Sequence, residues 1–215
     1  MIKECMKIID LTHNLEEGMP VYPGTESPQI KIETTIEGEG FEERLLTLFS
    51  HTGTHMDAPC HIVKCKKSLS DFDVSDFMGK AVLIDVQGMS EITHDIIEEY
   101  ADKLKDAKFA VLFSGWDKYW GYDEYFTDFP VLTMAATELL TRFDLTGICM
   151  DMISIDYADT ETFDNHKLVF DKNMLIVENL TNLDKVKSME FDITCMPLRI
   201  KDGDGSPVRA FATFH

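Results

Sequence analysis

Three of the seven histidines and one aspartate lie close together in the segment HTGTHMDAPCH, which runs from His51 to His61. Imidazole nitrogens and carboxylate oxygens are the ligands that Zn²⁺ or Mn²⁺ prefers where thiolates are absent. A single histidine is usually a structural residue, but three at these spacings with Asp57 between them favour a metal site. The candidate functional residues of this segment are therefore His51, His55, Asp57 and His61.

The backbone of this segment is predicted to bend. Gly53 permits backbone angles that other residues rarely adopt, and Pro59 disfavours helix at the residue before it. A straight strand, at about 3.3 Å per residue, would hold His51 and His55 roughly 13 Å apart, too far to share one ion. A bent loop held by rigid elements on both sides brings the side chains together. Cys60 alternates with the candidate ligands, and we predict that it is not a ligand.

A loop and two strands precede the histidine segment. Residues 17–24 (EGMPVYPG) contain two prolines and two glycines, which predicts a rigid, irregular loop. Tyr22 lies between the prolines, so its ring is either displayed towards a ligand or packed as a core aromatic. The alternation of polar and apolar residues at 29–36 predicts a half-buried strand. A second strand at 43–49, antiparallel to it, leads directly into the histidine segment.

The middle of the chain has the pattern of a parallel βαβ unit. Near-continuous apolar runs at 80–86 and 108–113 predict buried strands, and the spacing at 93–104 predicts a helix with Thr93 as its N-cap. The loop at 114–130 contains both tryptophans and follows a strand, where α/β folds bind ligands. Alternatively, its aromatics form a satellite core or a subunit contact. The other predicted elements are a helix at 133–143 and strands at 7–12, 147–152, 190–199 and 207–214.

Two residues in the second half of the chain are further candidate ligands. Glu178 directly follows a short apolar strand at 174–177, where an unpaired charge would be costly without an ion or another partner. His166 ends an acidic loop at a predicted helix start, which Asp164 or Asn165 would cap. Spacing alone leaves both ligand assignments open.

The composition predicts a single globular domain over residues 1–215. No apolar run reaches the roughly 18 residues of a membrane helix, and Met1–Cys5 has no signal-peptide pattern. Five scattered cysteines are typical of reduced thiols, which predicts a cytoplasmic protein. The formal net charge of −19 opposes binding to nucleic acid, so neither a nucleic acid nor a membrane is an expected partner.

The chain resembles the metal-dependent cyclase-like hydrolase family, which includes bacterial kynurenine formamidase and isatin hydrolase. The resemblance covers nearly the whole chain, and its central pattern, HxGTHxDxPxH, is highly specific. The segments that carry it are DLTH at 10–13, GMPVYPG at 18–24, HTGTHMDAPCH at 51–61, His166, ENL at 178–180 and GDGSPVR at 203–209.

The resemblance implies an α/β fold, a swivelling β/β/α domain of mixed sheet with flanking helices, usually assembled as a homodimer or homotetramer. It also implies that His51, His55 and Asp57 hold a first metal ion. Asp57 and Glu178 would bridge to a second ion, which His166 also binds. Members of the family use either two Zn²⁺ or one Mn²⁺, so one or two divalent ions are expected in each subunit.

The reaction that the resemblance implies is hydrolysis of a small-molecule amide or formamide, similar to that of an arylformamidase or a cyclic-amide hydrolase. A divalent ion lowers the pKa of bound water from about 15.7 to about 7, which supplies hydroxide at neutral pH. His61 would be the proton donor and acceptor. Tyr22 stands where the formamidases of the family have a tryptophan that contacts the aryl substrate.

Two other functions use the same ligands. One is a metal-dependent binding protein without activity, and the other is a metal-dependent lyase or isomerase. His61 favours an enzyme over a binding protein, because metal binding alone does not require it. Only hydrolysis incorporates solvent oxygen into the product, so product analysis separates a hydrolase from a lyase or an isomerase.

Overall fold

The computed structural model describes residues 7–187 and 189–214, so the predicted absence of a signal peptide at Met1–Cys5 lies outside the described residues. The strands are β1 (Ile8–Asp10), β2 (Gln29–Thr34), β3 (Glu43–Thr47), β4 (His55–Asp57), β5 (Met78–Asp85), β6 (Glu91–Ile92), β7 (Phe109–Phe113), β8 (Val131–Leu132), β9 (Gly147–Met150), β10 (Leu175–Glu178), β11 (Phe191–Pro197) and β12 (Gly205–Thr213). The α-helices are α1 (Ile36–Glu39), α2 (His94–Glu98), α3 (Ala101–Leu104), α4 (Met134–Leu140) and α5 (Asp164–Asp171). Short 3₁₀ helices lie at Pro59–His61, Leu69–Asp71, Val74–Phe77, Trp116–Tyr119, Asp123–Phe126 and Leu183–Lys185.

The main sheet closes into a barrel. Its order over the described residues is β1-β12-β11-β5-β7-β9-β10-β4, and β4 also pairs with β12. Strands β5, β7, β9 and β10 are parallel neighbours, whereas the pairs made by β4, β11 and β12 with their other neighbours are antiparallel. The predicted mixed α/β fold and its parallel βαβ portion are therefore confirmed.

The parallel strands are apolar throughout because both of their faces are buried. Val111, Cys149 and Val177 point into the barrel, where they pack against the other strands. Leu112 and Ile148 point outwards and pack beneath the helices. This second core places α4 and α5 against the sheet beside the carboxyl end of β10.

The predicted helix at 93–104 is divided into α2 and α3 at Glu99–Tyr100. Thr93 is the N-cap residue of α2, but its side chain makes no capping hydrogen bond. None of the helices in the described ranges has the length and apolar character that crossing a membrane requires.

Strands β2 and β3 form a separate two-stranded antiparallel sheet, as predicted. Every residue of β3 is exposed, and β2 is exposed at all but two positions. The prediction of a half-buried strand at 29–36 is therefore wrong for the isolated chain, because no part of the described chain covers the apolar side of the hairpin. The hairpin ends at Thr47, shortly before His51.

Candidate metal centre and active site

The histidine segment bends as predicted. The chain turns before Gly53, which has a φ of +67°, then enters β4 and finally the 3₁₀ helix Pro59–His61. As a result, the ring centroids of His51 and His55 lie 5.2 Å apart, and those of His51 and His61 lie 3.9 Å apart. The segment is not wholly irregular, since β4 pairs with both β10 and β12 and fixes His55 and Asp57 in the barrel wall.

The five predicted ligands come together at one end of the barrel. His51 Nδ1 and His55 Nε2 lie 2.6 and 3.2 Å from Asp57 Oδ1. His55 Nε2 lies 3.4 Å from Glu178 Oε2, and His166 Nε2 lies 3.6 Å from Glu178 Oε1. The potential ligand atoms of His51, His55 and Asp57 lie within 4.8 Å of one another, as do those of Asp57, His166 and Glu178. Asp57 belongs to both groups.

In the candidate ligands His51, His55 and His166, one ring nitrogen (the inner nitrogen) faces the carboxylates of the cluster, and the other (the outer nitrogen) lies next to an oxygen acceptor. His55 Nδ1 is 2.8 Å from Gly53 O, and His166 Nδ1 is 2.7 Å from Asp156 Oδ2. His51 Nε2 is 3.0 Å from Asp204 Oδ2. Because these oxygens only accept hydrogen bonds, the outer nitrogens carry the protons. The inner nitrogen of each neutral ring then directs a lone pair at the carboxylates. That arrangement is repulsive unless a cation or a proton lies between the groups, and it is the arrangement found around metal-bound histidines.

The electrostatics of the cluster also require a positive charge. Burial and the nearby charge of Asp57 raise the pKa of Glu178, and Glu178 Oε1 has no hydrogen-bond partner within the described ranges although it is buried. Burial alone would lower the pKa of His51 and His166. The carboxylates around His51, with Asp57 first, raise its pKa to about 9, and Asp156 and Glu178 raise that of His166 to about 10. A divalent cation would neutralise the same carboxylates without extra protons on His51 and His166. The residues therefore fit a metal centre.

Helix α5 is capped differently from the prediction. Neither Asp164 nor Asn165 is the cap, since the helix begins after Phe163, whose φ is +52°. The buried carboxylate of Asp156 instead accepts hydrogen bonds from the backbone N–H groups of Asn165 and His166, each at 3.1 Å. Asp156 therefore fixes both the start of the helix and the ring of His166. The acidic loop contained this signal, but its sequence does not show which carboxylate turns inwards.

Asp204 is a site residue to which the sequence analysis gave no role. Its Oδ2 atom accepts a hydrogen bond from Ser50 Oγ at 3.3 Å and lies 3.6 Å from His61 Nδ1, in addition to its contact with His51. The next residue, Gly205, packs so closely that a Cβ atom there would lie 2.5 Å from His51 Cε1. The signals in the sequence were the segment GDGSPVR at 203–209, which carries part of the family resemblance, and the glycine-rich DGDG turn that it overlaps.

The metal candidates form the floor of a cavity of about 380 Å³. His61 also faces this cavity, with about a third of its side chain exposed. Cys60 is in neither group of candidate ligands that contains Asp57. The rim of the cavity is mainly apolar and includes Pro20, Val21, Tyr22, Phe49, Ile62, Trp120, Ile153 and Phe163.

The sequence left two roles open for Tyr22 and for the aromatic loop at 114–130, lining a ligand site or packing in a core, and the structure shows aromatics in each position. Tyr22 is half-buried, lines the cavity, and donates a hydrogen bond from its hydroxyl to Ala158 O at 3.0 Å. Trp120, from the aromatic loop, lines the cavity and stacks on His13 with a centroid distance of 3.9 Å. Other aromatics of that loop, such as Tyr125, are buried in the outer core.

The fold and this site define a class: a closed mixed α/β barrel with a histidine–carboxylate cluster at the base of an apolar cavity. The sequence model of the Cyclase family, described as "Putative cyclase", matches residues 9–157. This chain belongs to that family. The match contains the histidine segment and Asp156, whereas His166, Glu178 and Asp204 lie beyond it.

Relatives and solved structures extend the comparison over almost the whole chain. A kynurenine formamidase from Erythrobacter litoralis is 30% identical over 97% of this chain and 94% of its own. An isatin hydrolase structure with the product analogue thioisatinate has a TM-score of 0.85 at 25% identity, covering 97% of this chain and 92% of that one. A "Potential Metal-Dependent Hydrolase With Cyclase Activity" has a TM-score of 0.81 at 25% identity, covering 98% and 99%.

Proposed function

We propose that this protein is a metal-dependent hydrolase that cleaves the carbon–nitrogen bond of a small amide or formamide. The observation that carries the proposal is the inward orientation of three histidine nitrogens towards two buried carboxylates at the base of the cavity. The names of the relatives, a formamidase and an isatin hydrolase, support hydrolytic chemistry on such bonds.

The ligands proposed for a first ion are His51 Nδ1, His55 Nε2 and Asp57. His166 Nε2 and Glu178, with Asp57 shared, are proposed for a second ion. Nitrogen and oxygen donors without thiolate suit Zn²⁺ or Mn²⁺, with one or two ions in each subunit. When bound, a divalent ion lowers the pKa of water at the site to about 7 and polarises a carbonyl oxygen.

The residues of the chain supply proton transfer and substrate position. Burial lowers the pKa of His61 below its ordinary value of about 6.5, so the ring is neutral and able to accept a proton at neutral pH. We propose that His61 accepts a proton from the attacking water and returns it to the leaving nitrogen. The Asp204 carboxylate, 3.6 Å from His61 Nδ1, would stabilise the charged ring between these steps. The aromatic rim, with Tyr22 and Trp120, suits a flat aryl group.

The test is a screen of the metal-loaded protein against aryl formamides, cyclic amides and lactones in ¹⁸O-labelled water. We expect turnover of an amide or formamide with one solvent oxygen in the acid product, and none after the metal is removed by a chelator. Turnover without solvent oxygen would identify a lyase or an isomerase. Full metal binding without turnover of any of these compounds would favour the binding protein.

Asp204 provides a prediction about metal affinity. Asp204→Ala removes the acceptor that holds the outer nitrogen of His51, so we expect about 10–100-fold weaker binding of the divalent ion. The measurement is a competition titration with a chromophoric chelator. Asp95→Ala is the matched control, because its side chain is almost fully exposed on α2. An affinity within twofold of the wild type would show that Asp204 does not orient His51.

Tyr22 provides a prediction about substrate binding. Tyr22→Ala is expected to raise KM by about fivefold, because it removes roughly 1 kcal/mol of aromatic contact. Tyr22→Phe keeps the ring and loses only the hydroxyl that donates to Ala158 O, so its KM should stay near that of the wild type. Steady-state kinetics and thermal melts of both variants check this. A normal KM with a collapsed melting temperature would mean that Tyr22 serves packing alone.

We also propose that residues 1–215 function as one domain in the cytoplasm. In the described part of the chain, Cys60, Cys65, Cys149 and Cys195 are free thiols, which suits a reducing compartment.

A further inference from the structure

The cavity is lined by carboxylates and histidines but, among the described residues, by no lysine or arginine. The carboxylates are those of Asp57, Glu178 and Asp204, all of them at the floor. Their negative charges would offset most of the charge of one or two divalent ions. The wall above the floor therefore offers no cationic side chain to pair with an anionic group of a substrate.

The basic residues closest to the site in sequence do not line the cavity either. Residues 62–67 contain three lysines, and none of them belongs to the cavity wall. Lys66 Nζ lies 3.3 Å from Asp171 Oδ1, and Lys67 Nζ lies 4.9 Å from the centroid of the Phe72 ring. An anionic group that enters the cavity would thus lose part of its hydration without gaining a cationic side chain as partner, which is costly.

Unpaired negative charge lies beside the mouth of the cavity. The acidic segment 156–164 forms one side of the mouth, where Ala158 O accepts the hydrogen bond from the Tyr22 hydroxyl. Asp159 and Glu161 of this segment are exposed, and neither forms an ion pair with a basic residue in the described chain. Burial, followed by repulsion from carboxylates that include Asp159, raises the pKa of Tyr22. The charge of the segment therefore acts on the cavity wall.

We propose that the cavity selects substrates by charge, accepting a cationic ammonium group on the part of the substrate remote from the scissile bond and excluding an anionic group there. The apolar rim would hold the flat part of the substrate, and the ammonium group would lie at the mouth near Asp159. The formal net charge of −19 gives the whole molecule a field of the same sign, which attracts cations and repels anions. This inference rests on the proposed function, because it names the class of amide or formamide that the site accepts.

The experiment compares three formanilides that differ only in a para substituent: aminomethyl, hydroxymethyl or sulfomethyl. The methylene group separates the charge from the reacting formamide, and a sulfonate is a poor metal ligand. With the metal-loaded protein at low ionic strength, kcat/KM should fall in the order ammonium, hydroxyl, sulfonate, with about 10–100-fold between the first and the last. Dissociation constants measured by calorimetry should follow the same order, and added salt should reduce the differences.

Two variants locate the source of the selection. Asp159→Asn should reduce the preference for the ammonium compound over the hydroxyl compound by about twofold or more, because it removes an unpaired charge at the mouth. Asp95→Asn is its matched control, since it removes the same charge from a side chain that is 99% exposed on α2, and it should leave the preference unchanged. Thr25→Lys places a cation in the wall and should raise kcat/KM for the sulfonate compound by about tenfold. Val74→Lys, at a position 63% exposed outside the cavity, should not.

The charge selection and the hydrolase activity fail in different ways. If none of the three compounds is hydrolysed but their dissociation constants follow the expected order, the selection stands and the hydrolase proposal fails. If all three are hydrolysed with equal kcat/KM and bind equally, the hydrolase proposal stands and the selection is refuted. The selection is also refuted if the sulfonate compound is the best substrate, or if Asp95→Asn changes the preference as much as Asp159→Asn does.

Discussion

Asp57→Asn is expected to eliminate tight binding of divalent metal while leaving the barrel folded. Asp57 is shared by the two ligand groups proposed for the first and the second ion, and its Oδ1 atom lies within 3.2 Å of nitrogens from both His51 and His55. The substitution keeps the shape of the side chain but removes the charge that a cation would neutralise. Metal content, measured by mass spectrometry of the purified protein, should fall from one or two ions per chain to near zero.

The same substitution should remove the stabilisation that metal gives. A ligand present at 100 times its Kd stabilises the folded state by about 2.7 kcal/mol, which for a chain of this size raises Tm by about 5–10 °C. The wild type should therefore lose about this much Tm when a chelator is added, whereas Asp57→Asn should melt at the same temperature with and without it. His51→Ala should behave in the same way. Asp95→Asn is the control and should follow the wild type.

Unchanged metal stoichiometry in both Asp57→Asn and His51→Ala would refute the ligand assignment. Comparing each variant with and without chelator is important, because Asp57 also pairs with buried histidines. If a variant has a lower Tm than the wild type both with and without chelator, the lost stability comes from those pairs. If the difference in Tm between the two conditions disappears, the lost stability comes from the metal.

His61→Ala is expected to lower kcat by about 10²–10⁴-fold while the protein keeps its full metal content. General acid–base groups act in the transition state and contribute on this scale, which corresponds to roughly 3–5 kcal/mol. His61 faces the cavity and is neutral at neutral pH, so it can accept the proton that the reaction releases. The measurement combines steady-state kinetics with metal analysis of the same preparation.

The geometry allows one competing role for His61. Ligand atoms of His51, His61 and Asp204 also lie within 4.8 Å of one another, so His61 is close enough to join a metal site. If His61→Ala loses metal as His51→Ala does, His61 is a ligand. If the variant keeps both its metal and a near-normal kcat, His61 has no part in the reaction. Only retained metal with a large loss of kcat supports proton transfer.

Much of the candidate site was predictable because it is local in the sequence. His51, His55, Asp57 and His61 occupy one short bent segment, and their residue types alone restrict the chemistry that they can perform. The apolar runs of the parallel strands likewise predicted their burial, since a strand covered on both faces has no polar side. Glu178 was a candidate because a carboxylate directly after such a strand needs a partner.

The carboxylates that orient the candidate metal ligands were decided by the tertiary structure. Asp204 contacts His51 across 153 positions of sequence, and Asp156 replaces the nearer Asp164 as the cap of α5. Acidic residues in loops look alike in sequence, so nothing local shows which of them turns towards the histidines. Only the closure of the barrel and the packing of α5 bring these two to the histidines.

The hairpin is a second feature that the sequence determined only in part. Alternation at residues 29–36 predicted a half-buried strand, and a strand forms over Gln29–Thr34 but remains exposed. Alternation does not specify what covers the apolar face of such a strand, because burial depends on the elements that the fold brings alongside. The sequence therefore determined the chemistry of the ligands and the pattern of the strands, whereas the tertiary structure decided which distant carboxylates orient the histidines and which apolar face stays uncovered.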